Sequence, residues 1–320
     1  FAKIAIMEYL TSGITSAFDM YIYPKEVIQA CVDCGFRIVQ VSGLNNFTSS
    51  LEELEEQYVT YNDYHELCSY KLGFHAEYTT DKKLLEGLAG LSEKYHAPVY
   101  THNSETKREV EECRQRYGKS PTQLFEEMGL YRYGGGGYHC IWFDDEDIDI
   151  FAKRNLSVVT NPASNLKLAS GIAPLKKMQE AGINLAIGTD GPASNNCLDM
   201  FREMFLVTGL AKLREHDAAV MDANDVLYMA TTGGAKAMGL SDCDCLAVGK
   251  KADLFLMDLM QPNMQPEHNL TKNLVYSGSK QNVKLTMVNG KILYEDGQFF
   301  ISEEPQEIYK KANEIVSRMK

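Results

Sequence analysis

From Phe1 to about Leu240 the chain alternates short apolar runs with longer stretches whose apolar residues recur every three or four positions. The short runs Thr15–Met20, Arg37–Ser42, Lys71–Tyr78, Pro98–Asn103, Gly137–Phe143, Ser157–Asn161 and Leu185–Asp190 read as strands. Between them Lys25–Cys34, Lys82–Tyr95, Thr106–Tyr117, Glu146–Arg154 and Leu175–Ala181 carry helical spacing. Near-continuous apolar strands alternating with helices mean a parallel sheet covered on both faces. Seven such units point to a β/α barrel of the TIM type, which needs eight strands. Phe1–Leu10 is already helical in pattern, with neither a cap nor a methionine before it. The expectation is therefore that the missing strand precedes Phe1.

Two further helices, Leu198–Arg214 and Ala223–Met238, follow the last strand, and Gly239 ends the second as a C′ glycine. Then the texture changes. Lys251–Leu259 and Val283–Phe299 alternate like antiparallel strands, with Asn289-Gly290 suited to a type I′ hairpin turn. The expected organisation is a barrel over residues 1–240. A small β-sandwich domain with a terminal helix, Pro305–Lys320, would occupy 241–320.

A formal net charge of −12 argues against a nucleic-acid surface, which would be basic. No apolar run is long enough to span a membrane and no signal peptide opens the chain, so a cytoplasmic protein is expected. Oligomeric state stays open, a homo-oligomer included. Eight dispersed cysteines without a secretory signal are expected to be reduced thiols. Cys31-x-x-Cys34 lies in a helix with no second pair and reads as core. The run Gly134–Gly137 reads as a flexible lead into the following strand, since no phosphate-loop pattern accompanies it. Ser42–Gln57 has no Lys or Arg and carries four glutamates.

Polar, titratable residues stand at the ends of four strands. They are His75 in LGFHAEY, His102 in PVYTHN (with Glu105 three residues on), His139 in YHCIWF and Asp190 in AIGTDG. Any one alone reads as a core, cap or turn residue. Together they converge, because chemistry in parallel α/β folds gathers at the carboxyl ends of the strands. Imidazole nitrogen with carboxylate oxygen suits Zn²⁺, or Fe²⁺ in a looser site. Asn161, Pro162, Ser164, Asn165, Ser194, Asn195 and Asn196 lie just beyond the last two strands and read as loop-holding residues. Trp142 fits core and pocket wall equally.

The segments LGFHAEYT, THNSETKREVEE, YHCIWFDDEDI, TNPASNLKLASGIAP, AIGTDGPASNNCLDMFREM and VGKKADLFLMDL resemble the amidohydrolase superfamily. Within it they resemble the branch holding 5-methylthioadenosine/S-adenosylhomocysteine deaminases, guanine deaminases and triazine hydrolases. The resemblance implies one divalent metal held by a His-x-His pair on the first barrel strand, a histidine on the fifth and an aspartate on the eighth. His102 and Asp190 match the last two, and the pair is absent from this sequence. Glu105 matches the acid that shuttles a proton to the substrate ring, His139 the histidine that positions the attacking water, and His75 a substrate-contacting histidine. Glu105 and Asp190 would also touch substrate. Binuclear members use a carboxylated lysine where this chain has His75, with Lys71 at the strand's beginning, which favours one metal.

The implied activity is metal-dependent hydrolytic deamination of a small-molecule substrate, an aminated purine nucleoside or similar heterocycle of the 5-methylthioadenosine or adenosine type, with Glu105, His139 and Asp190 catalytic. The resemblance also implies that members accepting S-adenosylhomocysteine need an arginine for its carboxylate in the loop after the Arg37–Ser42 strand. Ser42–Gln57, read as that loop, has none, which favours a neutral or cationic substrate. Guanine or pterin deamination, triazine dechlorination and a metal-free scaffold remain alternatives. Keeping His102, Glu105, His139 and Asp190 together speaks against the scaffold.

Overall fold

The computed structural model describes residues 1–319. Seven parallel strands stand in sequential order: β1 (Ser16–Met20), β2 (Arg37–Val41), β3 (Cys68–Phe74), β4 (Val99–Asn103), β5 (Gly135–His139), β6 (Ser157–Thr160) and β7 (Asn184–Ile187). The sheet curls. Phe18 of β1 meets Tyr100 of β4 and Tyr138 of β5 edge-on, with ring centroids 4.9 and 5.6 Å apart. These rings, with Val41, Val159 and Ala186, fill the interior. Ala237 closes one end, its carbonyl accepting from Tyr100 Oη at 2.7 Å. The larger apolar layer lies outside, where Leu72, Phe74, Val99 and Val158 pack against Leu85, Leu88, Phe125 and Phe151. Among the described residues β1 and β7 are not paired, so the fold shown is a curled seven-stranded α/β sheet of the barrel type.

Helix ends follow the local chemistry. Asp81 caps Lys82–Tyr95 through Leu84 N–H, and Thr106 caps Lys107–Tyr117 in a reciprocal box with Glu109. His96 and His216 end their helices in the left-handed conformation. Three expectations need correction. The glycine run is not a lead but the strand itself: a Cβ on Gly135 would lie 1.9 Å from Val99 O, and one on Gly136 2.4 Å from Ser157 O. Neighbouring backbones come too close there for any side chain. Consequently β5 stops at His139, before Ile141–Phe143. Ser42–Gln57 is not all loop either, because Ser50 caps a helix over Leu51–Asn62. The helix from Ala223 is interrupted by a π turn over Met229–Gly233, where Gly233 backs onto Leu185 O.

Beyond the barrel, β8 (Leu254–Met257), β9 (Val283–Val288), β10 (Lys291–Glu295) and β11 (Gln298–Phe299) form one antiparallel sheet. Asn289 and Gly290, with φ of 50° and 78°, make the expected hairpin turn. This antiparallel sheet meets the coarser expectation of a small β domain; Val288 and Leu293 pack with Ile6, Leu10, Ile28 and Phe36, and Thr286 Oγ1 donates to Leu10 O. Arg37 of β2 makes a two-pronged pair with Asp253, at 2.6 and 2.9 Å, both side chains buried. Breaking such a pair costs about 3–5 kcal/mol, because the remaining charge is left buried alone. All eight cysteines are free thiols. No helix among the described residues is long and apolar enough to cross a membrane.

Candidate active site

The carboxyl ends of β3, β4, β5 and β7 bring His75, His102, Glu105, His139 and Asp190 into one cluster. His102 lies between two imidazoles, its ring centroid 5.0 Å from that of His75 and 5.6 Å from that of His139. His139 Nε2 stands 3.9 Å from Glu105 Oε2 and 4.0 Å from Asp190 Oδ2. All five expected residues therefore meet. Lys71 sits four positions before His75, with Nζ beside Gly239. His65 accepts from Leu67 N–H through Nδ1, a local turn contact.

The backbone turns sharply where these strands end. Ser104, His139, Cys140 and Asp190 have φ of 50°, 69°, 50° and 57°. The left-handed region is uncommon for residues other than glycine, and its clustering at one sheet edge is a local cost that the surrounding bonds hold in place. Glu109, buried, accepts from the N–H groups of Ser104 at 2.9 Å and Glu105 at 2.8 Å, fixing the loop that carries Glu105. Burial pushes its carboxyl up to about 7, against these hydrogen bonds. Glu203 does the same between two other loops, accepting from Ala163 N–H at 3.0 Å and Asn195 Nδ2 at 2.8 Å.

Each functional side chain has its own partner. His102 Nδ1 faces the carbonyl oxygen of His75 at 2.8 Å, so its Nε2 is left for the cluster. Burial, reinforced by His139 and His75, pushes His102 down to about 3 and keeps the ring neutral. Burial also lowers His75, whose Nδ1 pairs with Thr79 Oγ1 at 3.1 Å. His139 Nδ1 pairs with Asn165 Oδ1 at 2.7 Å, and Nε2 faces the two carboxylates. Burial would raise Asp190. The Ser164 hydroxyl at 2.5 Å, nearby His139 and the Gly191 N–H at 2.6 Å outweigh it, holding the carboxyl below its ordinary value. Glu105 Oε1 accepts from Ser170 Oγ at 3.0 Å.

Ser164 and Asn165 thus reach the site rather than only holding a loop, while Ser194 and Asn195 do bond back to Gly191 and Thr189 carbonyls. Ser170 and Glu109 join the site without having stood out in the sequence. Thr106-x-x-Glu109 is a legible capping box, but nothing local marks Ser170, whose partner is 65 residues away. Among the described residues no three His, Cys, Asp or Glu side chains come together as a metal-holding group. His102 and Asp190 supply two donors of the right chemistry: a buried neutral imidazole with a carbonyl-bound far nitrogen, and an ionised carboxylate.

A curled parallel sheet with histidines and carboxylates gathered at its strand ends defines a hydrolase-type β/α architecture. The amidohydrolase family model matches residues 1–293, and the chain belongs to that family. It is 35% identical over 326 aligned positions to a 5-methylthioadenosine/S-adenosylhomocysteine deaminase from Thermoanaerobacter pseudethanolicus, covering 98% of this chain and 76% of the relative. It is 36% identical over 310 positions to a 5′-deoxyadenosine deaminase from Methanothermobacter thermautotrophicus, covering 95% and 72%. A crystal structure of an adenosine deaminase from Xanthomonas campestris with bound zinc superposes with a TM-score of 0.93 at 32% identity, covering 99% of this chain and 74% of that one.

Proposed function

We propose that the protein is a hydrolytic deaminase of aminated purine nucleosides of the 5-methylthioadenosine or adenosine type, working with one divalent metal, zinc by its donor chemistry. The observation that carries this is the flanking of His139 Nε2 by the carboxylates of Glu105 and Asp190, at 3.9 and 4.0 Å. His102 and Asp190 would provide two of the metal's ligands. When bound, such an ion supplies Lewis acidity that brings the pKa of a water molecule to about 7.

The chain's own groups do the rest. Asp190, kept ionised by Ser164 and Gly191, accepts a proton from the attacking water. His139, oriented by Asn165, holds that water and then the oxygen of the tetrahedral centre through Nε2. Glu105 delivers a proton from Oε2 to the ring nitrogen beside the attacked carbon, so negative charge does not build up there. The proton on Asp190 passes to the amino group, the carbon–nitrogen bond breaks to release ammonia, and the hydroxyl of the tetrahedral centre returns a proton to Glu105 as it becomes the carbonyl. His75 contacts the ring from the far side of His102.

At the same strand edge a small open cleft lies between the turn after β1 and the Ser42–Gln57 segment. Glu53 is its only charged lining residue. A neutral or cationic tail fits there better than a carboxylate, favouring methylthioadenosine or adenosine over S-adenosylhomocysteine. The test is Glu105→Gln in zinc-loaded protein, followed by ammonia release. The variant is expected to lose about 10²–10⁴ in kcat. Wild-type turnover would remove Glu105 from the mechanism.

A further inference from the structure

One shell of contacts around Glu105 has no role in the steps above. Ser170 Oγ donates to Glu105 Oε1 at 3.0 Å, and Ser170 itself is buried. Its backbone is held from two sides: Ser170 N–H donates to Asn165 O at 2.9 Å, and Trp142 Nε1–H donates to Ser170 O at 2.9 Å. Trp142 is tied in turn to the Glu105 loop, its N–H donating to Ser104 O at 3.0 Å. The indole lies against Gly171, where a Cβ would come 3.6 Å from Nε1. The two loops that must cooperate, one after β4 and one after β6, are thus joined through the chain's single tryptophan.

From this geometry we infer that Ser170, locked in place by Trp142, is a positioning residue that decides which oxygen of Glu105 carries the transferable proton. The inference rests on the deaminase reading above. A glutamate has three rotatable side-chain bonds and two equivalent oxygens, so left alone it presents either oxygen in many poses. With Oε1 occupied by the Ser170 hydroxyl, the proton resides on Oε2, the oxygen that faces His139 Nε2 at 3.9 Å. Oε2 then gives the proton to the ring nitrogen and recovers one from the hydroxyl of the tetrahedral centre as the carbonyl forms, while Oε1 stays an acceptor throughout. Neither Ser170 nor Trp142 needs to exchange a proton.

Positioning of this kind appears in turnover rather than in binding. Ser170→Ala is expected to lower kcat about 10- to 100-fold with KM within about twofold, as displacement of a reacting group by an ångström does. Ser170→Thr, which keeps the hydroxyl, restores most of that loss. Trp142→Phe removes one N–H and lowers kcat about three- to tenfold. The deciding measurement is the double variant Glu105→Gln/Ser170→Ala, assayed on zinc-loaded protein with 5-methylthioadenosine. If Ser170 acts through Glu105, the double variant is no slower than Glu105→Gln, whereas an independent structural role would add its own loss.

Wild-type kcat in both Ser170→Ala and Trp142→Phe, with Glu105→Gln inactive, would overturn the positioning role and leave the deaminase reading intact. An active Glu105→Gln would defeat the reading on which it rests. Should Ser170→Ala melt below the assay temperature, Trp142→Phe and its double variant with Glu105→Gln decide by the same criteria.

Discussion

The strand ends of β4 to β7 and those of β1 and β2 differ in how firmly they are held. On the first side His102, Glu105, His139 and Asp190 each have a named partner within 3.0 Å; Glu109 fixes the loop after β4, and Glu203 ties the loops after β6 and β7. On the second side Tyr21 and Ile22 stand half exposed at an open cleft, and the nearby Tyr23 and Phe47 are exposed as well. On the proposed reading, the groups that would meet a transition state are preorganised, while the side that would meet a substrate's tail is left more open. Substrate choice can therefore change on one side without disturbing the reaction on the other.

That contrast can be broken in graded steps. The largest effect belongs to Asp190→Asn, which removes the proton acceptor and a charged donor. Activity is expected to fall by about 10³–10⁴, and bound zinc, measured by elemental analysis of the intact protein, should fall with it. Full zinc content with wild-type turnover would contradict both roles. Next is Asn165→Ala, which frees the imidazole of His139. A loss of about 10- to 100-fold in kcat, with an unchanged melting temperature, is expected of an orienting partner. Smallest is Glu53→Lys on the adaptable side. Placing a cation in the cleft should raise kcat/KM for S-adenosylhomocysteine relative to 5-methylthioadenosine about two- to fivefold, the worth of one partly exposed charge pair. An unchanged ratio would detach the cleft from substrate choice.

Much of the firmly held side is legible in the amino-acid sequence. The strand-end positions of His75, His102, His139 and Asp190 follow from where apolar runs stop, and Thr106-x-x-Glu109 announces its own cap. The helix over Lys82–Tyr95 has the boundaries expected of it. What stays hidden depends on distant neighbours. Gly135–Gly137 looks like a flexible linker unless one knows that Val99 and Ser157 backbones press on it. Ser164, Asn165 and Ser170 look like loop residues because their partners lie 26 to 65 positions away. The apolar face of the small sheet is legible too. Its covering by helices is not, since alternation marks a buried face without saying what buries it.

The left-handed backbone at Ser104, His139 and Asp190 bears on how this site should be probed. Replacing such a residue by alanine alters two things at once: it deletes a functional group and puts a side chain ill-suited to positive φ at the end of a strand. Any loss of rate then mixes chemistry with a relaxed backbone. Asparagine tolerates that conformation well and matches aspartate in shape. His139→Asn and Asp190→Asn are therefore the cleaner probes, because they change the functional group while sparing the backbone that presents it.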